Sequence, residues 1–183
     1  MKNHLQKYAQ FSKVIIANAD HFFIAELNHY TEKMHDAIFI TLPTENRYLA
    51  LAEENIFPNL KINSDETEWK KNNIHDQLCV LYPETSLLFT PQMIALDKLG
   101  GVSFTKGCYV GQEIVARTEY LGKLKRHLHH LKIQSDQALN PGDSLKNNKN
   151  ETVGVVVEAV EFTKSEYEIL AVIQDQMFYN EHS

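Results

Sequence analysis

Cys108 lies in the stretch that concentrates more unusual residue types than any other part of the chain, Leu99 to Arg126, LGGVSFTKGCYVGQEIVARTEYLGKLKR. A thiol can act as a nucleophile, a redox handle or a soft metal ligand once enough of it is thiolate. Lys106 stands just ahead of it, and the run from Gly111 reads as a helix opening just after it, with Gln112 and Glu113 in the first turn. Unpaired amides at a helix N-terminus and a neighbouring ammonium both stabilise a thiolate. On spacing alone a lone cysteine is better read as a small buried apolar residue in a tight turn.

The surrounding residues sharpen the alternatives. Gly100-Gly101 and Gly107 suit positive φ or the close approach of a second backbone or a ligand. Ile114, Val115 and Thr118 recur at helical spacing. Arg117, Lys123, Lys125 and Arg126 join Lys106 in a local basic cluster, on a chain whose formal net charge is -6. Such a contrast points to a particular anion, such as a carboxylate tail, a phosphate or an RNA backbone, and away from general nucleic-acid coating. The plainer account is a solvated face with ordinary ion pairs.

The run KGCYVGQE resembles the signature of the YgfZ family, folate-binding relatives of the aminomethyltransferase (T protein) of the glycine cleavage system. Its pattern, Lys-Gly-Cys-Tyr-x-Gly-Gln-Glu, is matched by Lys106, Gly107, Cys108, Tyr109, Gly111, Gln112 and Glu113. The likeness extends to LGGVSF, to Pro91-Gln92, to Arg117 and Lys125-Arg126, and to the opening LQKYAQFSKVII. It implies a tetrahydrofolate-binding accessory protein that supports assembly or repair of iron-sulfur clusters in client enzymes, including radical enzymes that thiomethylate tRNA.

In that setting Cys108 is the candidate functional thiol, and Lys106, Tyr109, Arg117, Lys123, Lys125 and Arg126 are candidates for folate or anion contacts. Gly107, Gly111, Gln112 and Glu113 hold the motif in shape. Folate presents a flat pterin that needs an apolar slot, and a glutamate tail whose carboxylates suit Arg and Lys. Two other readings stay open: a folate-dependent aminomethyltransferase, which needs a carboxylate beside the folate nitrogens, and an RNA-binding module built on the basic cluster. Relatives carry about 100 further residues, a domain's worth, ahead of the point where this chain starts. Those residues normally help to form the folate pocket, so the pocket is expected to be incomplete here. An apolar face left uncovered is expected to favour a homodimer.

The elements that must position these residues follow from pattern. At 183 residues, 43% hydrophobic and 23% charged, the chain can bury a core as one domain or two small ones. Cys79 and Cys108 are too few for a disulfide framework, and no apolar run approaches the ~20 residues of a membrane span, so a cytoplasmic, non-membrane protein is expected. A short helix over 2–11 and a strand at Val14 to Ile16 lead through a turn to a strand at Phe22 to Leu27. Strands at Ala37 to Leu42 and Arg47 to Ala52 flank the turn 43–46. Asp65 to Asn72 suits a helix capped by Ser64 or Asp65, with Trp69 inward.

Where the family tends to carry Gly-x-Pro, this chain has Gln77-Leu78-Cys79, and a turn made by glycine and proline is not expected to survive that exchange unchanged. Cys79 reads as core. His127 to Ile133, Thr152 to Val160 with a bulge-prone Gly154, and Glu168 to Gln174 are strands, and Pro141-Gly142-Asp143 is a turn. His127 and His129 share a strand face, yet without a third ligand they make no metal site. The expected class is α+β: a mixed, T-protein-like folate-binding region at 1–122, then a small antiparallel β-barrel at 123–183.

Overall fold

The computed structural model describes residues 22–27, 36–44, 46–53 and 65–176, and the chain divides into two compact units, Met1–Ile62 and Asn63–Ser183. In the first unit, β1 (Phe22–Leu27), β2 (Ile38–Thr41) and β3 (Tyr48–Glu53) form an antiparallel sheet with β3 in the centre. All three were legible as strands; the helix expected at 2–11 and the strand and turn expected at 14–20 lie outside the described residues. The register puts Ala25, Phe39 and Ala50 on one face, where they form a small core with Leu27 and Ala52. Ile24 and Ile38 pair with Leu51 on the other face and are 70% and 59% exposed. Arg47 is buried and held by the Glu26 carboxylate at 2.5 Å.

The second unit opens on α1 (Glu66–His75). Asp65 caps it as expected, its Oδ1 accepting from the Thr67 amide at 2.9 Å, and the bonds from Thr67 hold the Asp65 carboxyl below its ordinary value. The helix ends on Gln77, which takes φ +55°. Leu78 N donates to Asn73 O at 2.8 Å and Gln77 N to Ile74 O at 3.2 Å, the paired bonds of a Schellman motif. The turn at Gln77-Leu78-Cys79 is thus made without glycine or proline. These two bonds close α1 with a left-handed residue whether or not that residue is glycine, at a cost of about 1 kcal/mol in Cβ strain.

Four strands follow: β4 (Arg126–Gln134), β5 (Ser144–Lys146), β6 (Thr152–Thr163) and β7 (Glu166–Gln174). They form one antiparallel sheet in the order β4-β7-β6-β5. The expected antiparallel strands are present but do not close into a barrel: β4 and β5 remain opposite edges, and four strands are too few to close at normal tilt. The sheet instead buries both faces locally. On one, Val157, Val160, Leu170 and Val172 meet Ile74 of α1 and Ile94 of the short 3-10 turn Pro91–Ile94. On the other, Leu131 and Ile133 of β4 and Leu145 of β5 pack on Val156, Tyr167, Ile169, Ala171 and Ile173. Residues from 65 onward share the sheet's core, and the compact units part between Ile62 and Asn63.

Against β7, β6 is irregular in two places. Val156 pairs with Ala171 but Glu158 with Leu170, so Val157 is an extra residue; Phe162 is another. The first bulge switches the alternation and turns Glu158 onto the face covered by α1. There Glu158 is 1% exposed and accepts from the Tyr82 hydroxyl and from the Ala159 amide at 3.1 Å. A further irregularity sits beside Gly154, as expected, with Val153 the extra residue opposite β5. A Cβ on Gly154 would lie 2.7 Å from Val172 O, so β7 passes too close for any side chain there. Cys79 packs against the core as expected, and burial, then the Glu158 charge, push its thiol up to about 12.

Candidate functional site

The signature motif is a loop running into α2 (Gln112–Tyr120). Gly111 caps the helix at φ +87°, a conformation that a side chain would strain, and the amides of Ile114 and Val115 both reach its carbonyl, at 3.1 and 3.3 Å. Gln112 folds back so that its Oε1 accepts from the Tyr109 amide at 3.4 Å, a long bond that ties the loop to the first turn. Lys106 N donates to Ser103 Oγ at 3.2 Å. Phe104 meets Tyr120 edge to face with centroids 6.0 Å apart, so the loop lies back along the helix. Gly100 takes φ +72° and Gly101 abuts Leu96, as a tight turn requires. At Gly107 φ is not left-handed and nothing lies within 4 Å of where a Cβ would be, so no second backbone approaches it.

Cys108 is exposed, at the loop's outer surface ahead of the helix N-terminus. Tyr109 is 40% exposed and Val110 fully so. Within α2 only Val115 is buried; Ile114 faces solvent at 64%, and Thr118 bonds back to Ile114 O at 2.9 Å. The helical spacing was right, but one apolar residue, not a stripe, faces inward. Glu113 and Arg117 form an i,i+4 ion pair at 3.2 Å with both side chains more than two thirds exposed, worth little to stability.

The remaining cations are exposed: Lys106 in the loop, and Lys123, Lys125 and Arg126 beyond the last turn of α2. Among the described residues none of these has a carboxylate partner. They therefore flank a helix of 9 residues, about 13 Å long, with Arg117 alone engaged along its side. Lys125 O accepts from Asp175 N at 3.1 Å, and Asp175 Oδ1 lies 2.6 Å from His127 Nδ1, which anchors the chain where β4 begins. The register puts His127 and His129 on one face, as expected. Burial, then the His127 charge, hold His129 below its ordinary value. Among the described residues no group of three or more His, Cys, Asp or Glu is arranged to hold a metal, and no helix is long and apolar enough to cross a membrane.

One residue near the site carried no role in the sequence reading. Gln92, 7% exposed, donates from Nε2 to Val115 O at 2.7 Å and joins the turn Pro91–Ile94 to α2. Beyond its place in the Pro91-Gln92 stretch of the family likeness, its sequence signal is a polar residue directly after a proline that starts a turn.

No family model matches the chain. Among individual proteins it is 35% identical, over 78% of its length, to an uncharacterized protein of Haemophilus influenzae. It is 30% identical over 92% of its length to the tRNA-modifying protein YgfZ of Hamiltonella defensa. It is 42% identical to the YgfZ of Colwellia psychrerythraea over 81 residues. The chain spans 50% of the first of these and 60% of the second.

Proposed function

The chain belongs to the YgfZ family, and from that premise we propose that it is a tetrahydrofolate-binding accessory protein serving iron-sulfur client enzymes of tRNA modification. The observation that carries the reading is the exposed Cys108, on a loop tied to a helix and flanked by cations without carboxylate partners. The donor set fits the folate tail: Lys106, Lys123, Lys125 and Arg126 are free to receive its carboxylates. Tyr109, Val110 and Ile114 offer exposed apolar surface beside them for the flat end of the ligand. Folate, once bound, supplies one-carbon and redox chemistry of its own. This chain's residues bind and orient it, and Cys108 presents a thiol to a cluster, a client or an oxidant.

The test has two arms. Calorimetric titration of the protein with tetrahydrofolate is expected to show binding that weakens when Lys123 and Lys125 are both changed to Gln. Cys108→Ser is expected to keep the fold and the binding but to lose rescue of a strain whose tRNA thiomethylation depends on this protein; full rescue removes the thiol from the mechanism.

The same unpaired cations also favour an RNA-binding reading. Binding to RNA would fall steeply between low and high salt and ignore folate, whereas folate binding would persist. No comparable observation favours a transferase, since the carboxylate of the motif, Glu113, is paired with Arg117.

A further inference from the structure

α2 carries the signature loop, yet it has only one buried residue of its own, Val115. A helix so lightly packed belongs to the part of a fold that opens first, unless something other than apolar contact holds it. The turn Pro91–Ile94 is anchored, because Ile94 is 6% exposed and sits in the cluster with Ile74, Val157 and Leu170. Between the anchored turn and the lightly packed helix stands one buried side-chain bond, Gln92 Nε2 to Val115 O at 2.7 Å. The orientation of the amide follows from its partner: a carbonyl only accepts, so the nitrogen faces it. The other end of the amide, Oε1, is buried and has no hydrogen-bond partner among the described residues. A buried acceptor left empty is costly, so this side chain is held for its donor and not for general polarity.

We propose that Gln92 is the positioning residue of the signature loop. Its amide fastens α2 to the sheet's core through Ile94. From the helix the constraint passes to Cys108 through the Gln112–Tyr109 bond and the Phe104–Tyr120 contact. The inference takes from the proposed function only the premise that this loop is the working surface, and the tetrahydrofolate titration decides that premise separately.

Hydrogen exchange of the α2 amides tests it, with the single tryptophan, Trp69 in α1, reporting on the rest of the unit. Gln92→Met keeps the length and volume but has no donor. It is expected to speed exchange at residues 116–120 by about 5- to 100-fold, with a much smaller change in the Trp69 unfolding transition. Gln92→Glu supplies the second measurement. Burial raises the new carboxyl's pKa, so after correction for intrinsic rates its α2 amides are expected to exchange as in the unaltered protein near pH 5, where the protonated carboxyl donates to Val115 O. Near pH 8, where it is ionised, they are expected to exchange faster. Gln92→Met stays fast at both. Exchange in Gln92→Met equal to that of the unaltered protein would show that the side chain only fills space and would overturn the inference. So would a Gln92→Glu protein whose α2 amides stay unprotected at both pH values.

Discussion

Replacing Tyr82 by Phe removes one hydroxyl and should destabilise the second unit far more than a surface substitution does. The cost arises at Glu158, which is 1% exposed and keeps only the Ala159 amide, at 3.1 Å, when the Tyr82 donor is gone. Burial, then the bond to Glu158 and its charge, push the Tyr82 hydroxyl well above its ordinary value, so it remains a donor throughout the working pH range. A hydrogen bond to a charged group contributes about 1.5–3 kcal/mol, and the loss falls on a carboxyl that water cannot reach. With a urea slope of about 2 kcal/mol per molar for a unit of this size, a loss of about 2 kcal/mol moves the midpoint down by roughly 1 M. Trp69 fluorescence follows the transition. The double variant Tyr82→Phe with Glu158→Met removes both partners and should recover part of the loss, giving a favourable coupling in the cycle. A Tyr82→Phe midpoint within about 0.3 M of the unaltered protein, the range of an ordinary surface change, would refute the claim that the bond from Tyr82 to Glu158 stabilises this unit.

Three further outcomes are expected. Gln77→Gly relieves the left-handed strain at φ +55° and should raise the same midpoint by about 0.5–1 kcal/mol equivalent, provided the two capping bonds persist. Gly154→Ala places a Cβ 2.7 Å from the Val172 carbonyl; it should destabilise by about 1–3 kcal/mol and broaden amide signals along β6 and β7 in a proton–nitrogen spectrum. His129 is held below its ordinary value, so the unfolded chain takes up its proton first. Its contribution is complete above about pH 6.5 and is lost as pH falls through the lowered folded value, so urea midpoints should drop more between pH 7.5 and 5.5 in the unaltered protein than in His129→Asn.

What the sequence disclosed was whatever depends on neighbours along the chain. The capping of α1 by Asp65, the opening of α2 at Gly111 and the alternation of His127 and His129 each follow from residues within a turn of one another. Closure was not legible, because it depends on whether β4 reaches β5, and no local pattern states that. Nor does a local pattern announce the left-handed conformation of Gln77, which two backbone bonds hold at the end of α1.

The residues whose positioning role had no local signal have a common form. Glu158 interrupts an apolar run, TVGVVVEAV, and Gln92 follows a turn-starting proline. By strict alternation Glu158 belongs with Val156 and Val160, and only the extra residue Val157 turns it away from Val156 to meet Tyr82. A carboxylate embedded in β-branched residues demands a donor from elsewhere, so such a residue is itself a sign that a distant segment is fastened there. By the same reasoning Gln92 marks where α2 is fastened. Cys108 and the cations near it carry no such sign: they are exposed, and among the described residues Lys106, Lys123, Lys125 and Arg126 have no carboxylate partner. The two classes therefore separate by burial. Buried polar residues with a partner far along the chain set where the loop stands, and exposed polar residues without partners are what the loop presents.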